Sequence, residues 1–448
     1  MPTMKTTPPH APSPRFAAAL LPLATTAILA WLVAGAPART WTSADGGRKF
    51  EGDLTTFDSA TGRVTVTTPG GKELTFSQDR LSADDVAFLK EQGDKAAPAA
   101  ASATAPAAAA TALPGELPDP DGKEADMSRP VKVFILLGQS NMLGAGKVAG
   151  DKDGTLEHAV KTENLYPFLA DDAGNWTERK DVRNVRVMVG RGGGMGVHNN
   201  EWMTVKGRTI GPELGIGHHL GNLLDEPVMI LKSCIGNRSL GWDLLPPGSK
   251  GYEFEDEDRK TGGMKTWVYA AYKESPMKWE KGTTPEPIGW YAGKQYDDDI
   301  ANAKKVLAEL DTYYPGAKNH QIAGFFLWQG DKDRYDAGHA SRYEQNLVRL
   351  IEQLRKDFDA PDAKFVCATL GQTEKGATGN EGLILDAQLA VDGNSGKHPQ
   401  FKGNVATVYS KPHCHGGASN SHYGGNAKTY MDVGLAMGEA MVKLLQGN

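Results

Sequence analysis

From about Met127 onward, short apolar runs alternate with longer segments in which apolar residues recur every three or four positions. The runs have the length of single buried strands, and the longer segments have the period of helices that bury one face. The candidate strands are Val131–Leu137, Pro227–Lys232, Ile322–Trp328, Lys364–Leu370 and Asn404–Tyr409. The candidate helices are Pro212–Leu224, Asp297–Leu310, Ala340–Phe358, Glu381–Val391 and Asn426–Gln446. This alternation predicts an α/β domain over residues 127–448, with a mainly parallel five-stranded sheet covered by helices on both faces.

The pattern before this domain is different. Residues 39–93 contain short alternating stretches separated by glycine-containing turns, followed by a helical stretch near Leu81–Leu89. This arrangement is typical of a small β-rich domain. Residues 94–126 are mostly alanine with interspersed proline and threonine, so we expect a linker there.

The N-terminus has the features of a secretory signal. Lys5 and Arg15 precede the apolar stretch Phe16–Gly35, and small residues follow as far as Ala38. These features predict a signal peptide over residues 1–38 and a secreted or periplasmic location. The stretch is also long enough to remain as an uncleaved membrane anchor.

Composition excludes some classes of function. A formal net charge of −6 over 448 residues argues against a nucleic-acid partner. The cysteines Cys234, Cys367 and Cys414 are too few for a disulfide framework, although one bridge involving Cys414 stays open. The acidic run 253–259 and the cluster His413–His415 lack the spacing of calcium or zinc sites, so no metal or other cofactor is expected.

Polar clusters follow the predicted strands of the large domain. Ser140 follows the first strand in G-Q-S-N-M, Gly236 follows the second, and Gln329 and Asp331 follow the third in W-Q-G-D. His422 comes late in the chain, just before the last helix. The carboxyl ends of parallel strands meet at one edge of a sheet, so we expect these groups to lie close together. A hydroxyl, N–H donors and an imidazole are the groups that acyl transfer requires.

The order of these motifs resembles the SGNH/GDSL hydrolase superfamily. G-Q-S-N-M, a glycine-containing loop that ends in Trp242, W-Q-G-D and the late histidine resemble more narrowly the sialate O-acetylesterase-like group, which includes carbohydrate esterase family 6. The resemblance covers about residues 130–445. It implies an SGNH-type, flavodoxin-like fold and a serine esterase that removes O-acetyl groups from a carbohydrate or polysaccharide without a cofactor.

The resemblance also implies roles for individual residues. Ser140 matches the nucleophile and His422 the general base, with His413 and His415 as competing candidates. The oxyanion would be held by the backbone N–H groups of Ser140 and Gly236 and by the side-chain amide of Gln329. The predicted substrate-binding residues are Gln139, Asn141 and Asn237.

The acid that should orient the histidine departs from the family pattern. The family commonly has an aspartate three residues before the histidine, and this chain has Ser419 there. Asp331, where many relatives carry glutamate, is the predicted replacement. The alternative is a Ser-His dyad in which a backbone carbonyl holds the imidazole.

Residues 39–93 resemble the SLA1 homology domain 1-like modules of secreted bacterial proteins, through W-T-S-x-D-G, F-E-G and R-L-S-x-x-D. That resemblance implies a small SH3-like β-barrel that acts as a binding or spacer module, with contact to the cell envelope. The module and the missing D-x-x-H together motivate a competing hypothesis, a catalytically impaired carbohydrate-binding or cell-surface protein on the same fold.

The aromatic residues after the second strand allow two interpretations. They could stack on sugar rings, or they could form the local core of a long inserted segment. These residues are Trp242, Trp267, Trp279, Trp290 and Tyr291.

Overall fold

The structure is a computed structural model. It describes residues 39–44, 49–58, 63–68, 73–95, 117, 124–190, 193–258 and 260–447. The chain divides into two compact units, one within residues 1–108 and the other within residues 109–448. The predicted signal peptide and most of the predicted linker lie outside the described residues. Within the described ranges, no helix is both long enough and apolar enough to cross a membrane.

The first unit is a four-stranded antiparallel sheet followed by a helix. Its elements are β1 (Arg39–Thr42), β2 (Lys49–Asp58), β3 (Arg63–Thr67), β4 (Glu73–Ser77) and α1 (Ala83–Lys95). Trp41 is buried at its centre among Val64, Val66 and Leu89, and its indole N–H donates to the carbonyl of Gly52 (3.0 Å). The predicted strands and helix are present, while closure into an SH3-like barrel stays a prediction.

The second unit contains the other strands and α-helices of the described ranges. Its strands are β5 (Val131–Gly138), β6 (Gly146–Lys147), β7 (Glu178–Val189), β8 (Met195–Thr204), β9 (Thr209–Ile210), β10 (Val228–Ser233), β11 (Tyr252–Glu257), β12 (Met264–Tyr269), β13 (Lys278–Glu280), β14 (His320–Trp328), β15 (Lys364–Ala368) and β16 (Val405–Val408). Its α-helices are α2 (Ser140–Leu143), α3 (Leu156–Lys161), α4 (Glu213–Leu223), α5 (Lys294–Ala308), α6 (Leu310–Tyr313), α7 (Ala337–Asp357), α8 (Gly379–Ala390) and α9 (Ala427–Gln446). Short 3-10 segments lie at Pro167–Leu169, Asp333–Tyr335, Pro399–Phe401, Lys411–His413 and Ser419–Gly425.

The main sheet has seven strands in the order β16-β15-β14-β5-β10-β7-β8. All neighbours are parallel except β8, which pairs antiparallel with β7. The five predicted strands are present and lie in the flavodoxin-like order 2-1-3-4-5. The strand count of five was wrong, because β7 and β8 extend one edge of the sheet.

The missed strand β7 carries charged residues that a buried strand rarely has. Arg179 is buried and forms an ion pair with Asp181 (2.6 Å), and Arg183 donates to the carbonyl of Tyr313 (2.9 Å). These partners compensate the buried charges. Because charged residues interrupt its apolar positions, β7 has no continuous apolar run that would identify it in the sequence.

Helices cover both faces of the main sheet, as predicted. Side chains of β5 alternate between two cores: Val133 and Ile135 pack toward α5, α7 and α8, and Phe134 and Leu136 pack toward α3, α4 and α9. Helices therefore exclude solvent from both faces, and the sheet is accessible to a ligand at the ends of its strands.

The long segment after β10 forms a small antiparallel sheet, β11-β12-β13. Trp242 is buried in a separate small core against which Trp279 and Trp290 pack. For these three residues the local-core interpretation is the one observed. Cys234, Cys367 and Cys414 are all free thiols, so Cys414 forms no bridge with either of the other two.

Candidate active site

The site begins where β5 ends. Gly138 has φ +147°, and a Cβ there would lie 2.4 Å from the carbonyl oxygen of Trp328 on the neighbouring strand β14. Only glycine allows this close approach of the two strands. The chain then turns through the extended Gln139 into α2, whose first residue is Ser140. As the first residue of a helix, Ser140 has a backbone N–H without an intrahelical partner.

The far end of α2 is held by a buried ion pair. Lys232, on β10, donates from Nζ to the carbonyl of Leu143 (3.1 Å) and pairs with Glu213 (2.5 Å). Removing either partner would leave an uncompensated buried charge beneath the turn that carries Ser140.

Gly236 lies directly beside Ser140. A Cβ built on Gly236 would be 3.5 Å from the Cβ of Ser140, in ordinary contact. The backbone N–H groups of Ser140 and Gly236 donate no hydrogen bond to any group in the described ranges. The structure thus brings together the predicted nucleophile and two of the predicted oxyanion donors.

Gln329 has a different role from the predicted one. Its side chain is buried, and its amide nitrogen donates to Asp333 (2.6 Å) and to the carbonyl of Arg238 (2.9 Å). Its amide oxygen accepts from the hydroxyl of Tyr343 (2.7 Å). Because both amide hydrogens are used within the protein, Gln329 is not placed as an oxyanion donor. It instead holds the loop that carries Gly236, through the carbonyl of Arg238.

Asp333 also supports the loop that carries Gly236, although it was not among the residues predicted from the sequence. Its carboxylate accepts from the backbone N–H groups of Leu240 (2.9 Å) and Gly241 (2.8 Å) as well as from Gln329. Burial raises the pKa of this carboxyl from 3.8 to about 7, against the opposing effect of those three donors. The only signal in the sequence was a second aspartate two residues after Asp331 in W-Q-G-D-K-D.

The raised pKa of Asp333 predicts a pH-dependent stability. The folded state keeps this proton up to about pH 7 and the unfolded state loses it near pH 4, so the folded state binds more protons between these values. The free energy of unfolding should therefore fall, by about 2–4 kcal/mol from this group, as the pH rises from about 4 to 7. Urea unfolding of the wild type and of Asp333→Asn at several pH values measures this contribution.

The Asp333→Asn variant cannot ionise, so its curve should be flatter than that of the wild type. It should also be less stable at low pH, because its amide places a donor against the N–H of Gly241. Equal slopes in the two proteins would show that Asp333 does not titrate in this range.

The loop that carries His422 is tied to the turn after Ser140. His422 lies in the segment Ser419–Gly425 with φ +53°, a left-handed conformation. The hydroxyl of Tyr430 is 3.4 Å from both the carbonyl of His422 and the side-chain oxygen of Asn141, and the amide of Asn141 donates to the carbonyl of Ser419 (3.4 Å). The buried Asn141, predicted to bind substrate, thus joins the two loops instead.

The imidazole of His422 is half-buried and makes no hydrogen bond with Ser140 or with any other described residue. The carboxylate of Asp331 does not reach His422, which corrects its predicted placement against the imidazole. Its Oδ1 accepts from the hydroxyl of Ser419 (2.6 Å) and from Arg334 (2.8 Å). The carboxylate therefore meets the histidine loop at Ser419, three residues before His422.

The two competing histidines are placed differently. Nε2 of His415, four residues before that loop begins, lies 3.0 Å from Asp432 on α9, so His415 has a carboxylate partner. Burial lowers the pKa of His413. Neither histidine hydrogen-bonds to Ser140.

The other two predicted substrate-binding residues, Gln139 and Asn237, differ in their exposure to solvent. Gln139 is buried, and its side-chain oxygen lies 3.3 Å from the amide nitrogen of Gln329 and accepts from the backbone N–H of Lys332 (3.4 Å), so it faces the interior. Asn237 is exposed, with φ +57°, on the loop beside Ser140. Across the described ranges, no group of three or more histidine, cysteine or acidic side chains is placed to hold a metal ion.

Residues 249–443 match the model of a family described as carbohydrate esterase, sialic acid-specific acetylesterase. The match supports a carbohydrate esterase. The matched segment contains Gln329, Asp331 and His422 and begins after Ser140 and Gly236. A search of curated proteins found no match.

Some solved structures match this chain at low sequence identity. A protein from Arabidopsis thaliana is 17% identical, with 70% of this chain and 98% of that chain covered and a TM-score of 0.37. A carbohydrate acetylesterase from Xanthomonas citri is 14% identical, with coverage of 71% and 57% and a TM-score of 0.40. NanS is 14% identical, with coverage of 62% and 77% and a TM-score of 0.34. This chain thus spans little more than half of the Xanthomonas protein.

Proposed function

We propose that the second unit is a serine esterase that removes O-acetyl groups from carbohydrates. The observation that carries the proposal is the proximity of Ser140 and Gly236 at the carboxyl ends of β5 and β10, where neither backbone N–H has a hydrogen-bond acceptor among the described residues. The location supports it, because β5 and β14 flank the switch point of the flavodoxin-like strand order, where such sheets bind ligands. The family match over residues 249–443 supports the ester class and the carbohydrate.

In the proposed mechanism, Oγ of Ser140 attacks the carbonyl carbon of the acetyl ester while His422 takes the hydroxyl proton. The N–H groups of Ser140 and Gly236 donate to the oxyanion. The intermediate collapses, the C–O bond to the sugar breaks, and His422 returns the proton to the sugar oxygen. Water then attacks the acetyl-enzyme with His422 as base, and acetate leaves. Because the free imidazole is not bonded to Ser140, the mechanism requires His422 to close onto the hydroxyl when substrate binds.

Asp331 supports this mechanism indirectly, through the loop that carries His422. Its contact with the hydroxyl of Ser419 positions the loop three residues ahead of His422. We propose that Ser140 and His422 act as a dyad, with Asp331 as a positioning residue.

The proposed cellular location of the enzyme rests on its N-terminal sequence. We propose export through the signal peptide of residues 1–38 and contact with the cell envelope through the module of residues 39–93. An uncleaved signal would keep the same domain at the membrane surface.

The test is to trap the acetyl-enzyme. The protein is incubated with p-nitrophenyl acetate, quenched in acid during turnover and digested, and the peptide that contains Ser140 is examined by mass spectrometry for an added acetyl group. Release of acetate from a panel of acetylated polysaccharides, among them acetylated xylan, and from O-acetylated sialic acid then identifies the sugar.

The competing function is carbohydrate binding without hydrolysis. The observation that favours it is the missing hydrogen bond between Ser140 and His422. Binding of the panel polysaccharides with neither acetate release nor an acetylated Ser140 peptide would establish that function in place of the esterase.

A further inference from the structure

Tyr335 stands out among the aromatic residues because its side chain is 45% exposed. Among the large apolar side chains that are exposed in the described ranges, it is the only aromatic ring. It ends the 3-10 turn Asp333–Tyr335, in the loop after β14 that also carries Gln329 and Asp331. An exposed aromatic ring at the edge of a site is a candidate binding surface.

The ring of Tyr335 is held firmly. The guanidinium carbon of Arg334 lies 4.3 Å from the centre of the ring, and Arg334 also donates to the Tyr335 hydroxyl. Arg334 is itself fixed by Asp331 (2.8 Å) and by Glu381 (2.6 Å). One face of the ring therefore packs on the guanidinium of Arg334, which is held by two carboxylates. The exposed part of the ring faces solvent. A surface ordered in this way loses little conformational entropy when it binds a ligand.

Two contacts place this ring next to the histidine loop. The side-chain amide of Asn420 donates to the hydroxyl of Tyr335 (3.3 Å), and Asn420 is two residues before His422. The hydroxyl of Ser419 donates to Asp331, in the same loop as Tyr335. The ring thus lies at the border of the candidate active site, where part of a substrate larger than the acetylated sugar would extend.

Polar contacts join α8 to the loop that carries the ring. Asn380 donates to the carbonyl of Arg334 (3.0 Å), and Leu383 lies on the same face of this helix one turn later, with its side chain exposed. The charged groups beside the ring are already paired with one another. Such a surface suits a neutral partner with an apolar face.

We propose that the exposed face of Tyr335 stacks on a neutral pyranose ring of an oligosaccharide substrate, next to the sugar that bears the acetyl group. This inference rests on the proposed function. A pyranose presents a face of C–H groups, which pack on the negative face of an aromatic ring while the sugar hydroxyls stay hydrated at the edge. Tyr335 then determines preference for an oligosaccharide over a single acetylated sugar, because a single sugar leaves the ring unoccupied.

The test compares two substrates in two variants. With partially acetylated xylooligosaccharides, Tyr335→Ala should raise KM by about three- to tenfold with kcat nearly unchanged, because the stacking contact is lost. With p-nitrophenyl acetate, which has no second sugar ring, both constants should match the wild type. Tyr335→Phe keeps the ring and should retain the KM of the wild type for the oligosaccharides. Met264→Ala, which removes an exposed apolar side chain on β12, is the matched control.

Two outcomes would overturn the stacking site. An unchanged KM for the oligosaccharides in Tyr335→Ala would show that the ring does not contact them. An equal loss of activity on both substrates would show that Tyr335 only supports the histidine loop.

Failure of the proposed function is separable from failure of the stacking site. If the wild type hydrolyses neither substrate, calorimetric titration with unacetylated xylooligosaccharides tests the ring directly. Binding by the wild type that is weakened in Tyr335→Ala would support the stacking site without the esterase. Absence of binding by the wild type, or equal binding by both proteins, would overturn it.

Discussion

Replacing Ser140 with alanine is expected to lower kcat/KM for p-nitrophenyl acetate by about a thousandfold or more. The substitution removes the oxygen that forms the acetyl-enzyme but keeps the backbone N–H, so any residual rate would come from the oxyanion donors alone. The side chain of Ser140 is half-buried and makes no hydrogen bond in the described ranges, so the free energy of unfolding should change by less than about 0.5 kcal/mol. Steady-state kinetics and urea unfolding on the same preparations measure both quantities.

The control for Ser140→Ala is Ser341→Ala. Ser341 is an exposed residue of α7, and its hydroxyl donates to the carbonyl of Gly338, so this variant should keep the rate of the wild type. Retained turnover in purified Ser140→Ala would contradict the assignment of the nucleophile. Loss of activity together with loss of stability would leave the chemical role to be read from the acetylated peptide.

Replacing His422 with asparagine is expected to lower kcat by about a thousandfold. Asparagine tolerates the left-handed conformation found at His422 (φ +53°), so the loop should keep its shape while the base is lost. Alanine would add backbone strain to the chemical effect and is the poorer choice. Steady-state kinetics with p-nitrophenyl acetate measure kcat, and urea unfolding of the same preparation checks that the fold is kept.

His415→Asn is the matched control for His422→Asn, because His415 lies in the same region and has a carboxylate partner in Asp432. It should keep nearly all of the activity. A large loss in His415→Asn with little loss in His422→Asn would reverse the assignment of the base.

The variant Asp331→Asn distinguishes a Ser-His dyad from a triad. A loss of kcat of about tenfold or less fits a carboxylate that acts through Ser419. A loss of kcat as large as that of His422→Asn would restore the predicted triad.

Five strands and five helices of the second unit were predictable from local pattern. The five parallel strands and the helices between them appear close to their predicted bounds, because each buries a continuous apolar run or a periodic apolar face. Strand β7 was missed for the opposite reason, since its first half carries charged residues. Their burial is compensated by the ion pair Arg179–Asp181 within the strand and by the bond from Arg183 to the carbonyl of Tyr313.

The candidate site was predicted in part. The placement of Ser140 beside Gly236 follows from one rule, that the carboxyl ends of parallel strands share an edge. The roles of Gln329 and Asn141 did not follow from it, because an amide serves equally as an oxyanion donor, a substrate ligand or an internal brace. Their burial and their partners decide among these roles, and neither is a local property of the sequence.

The sequence by itself determined the alternation of strands and helices, the position of Ser140 at a strand end and the set of polar residues at one edge of the sheet. Periodicity and strand direction carry that information over short stretches of chain. Only the tertiary structure decided which side chains meet. The bond between Asp333 and the backbone of Gly241 joins residues 92 positions apart, and Asp331 reaches Ser419 across 88 positions. Such contacts depend on how loops pack after the sheet has formed. The support that Asp331 gives to the His422 loop, and Gln329 and Asp333 to the Gly236 loop, could therefore be read only from the folded chain.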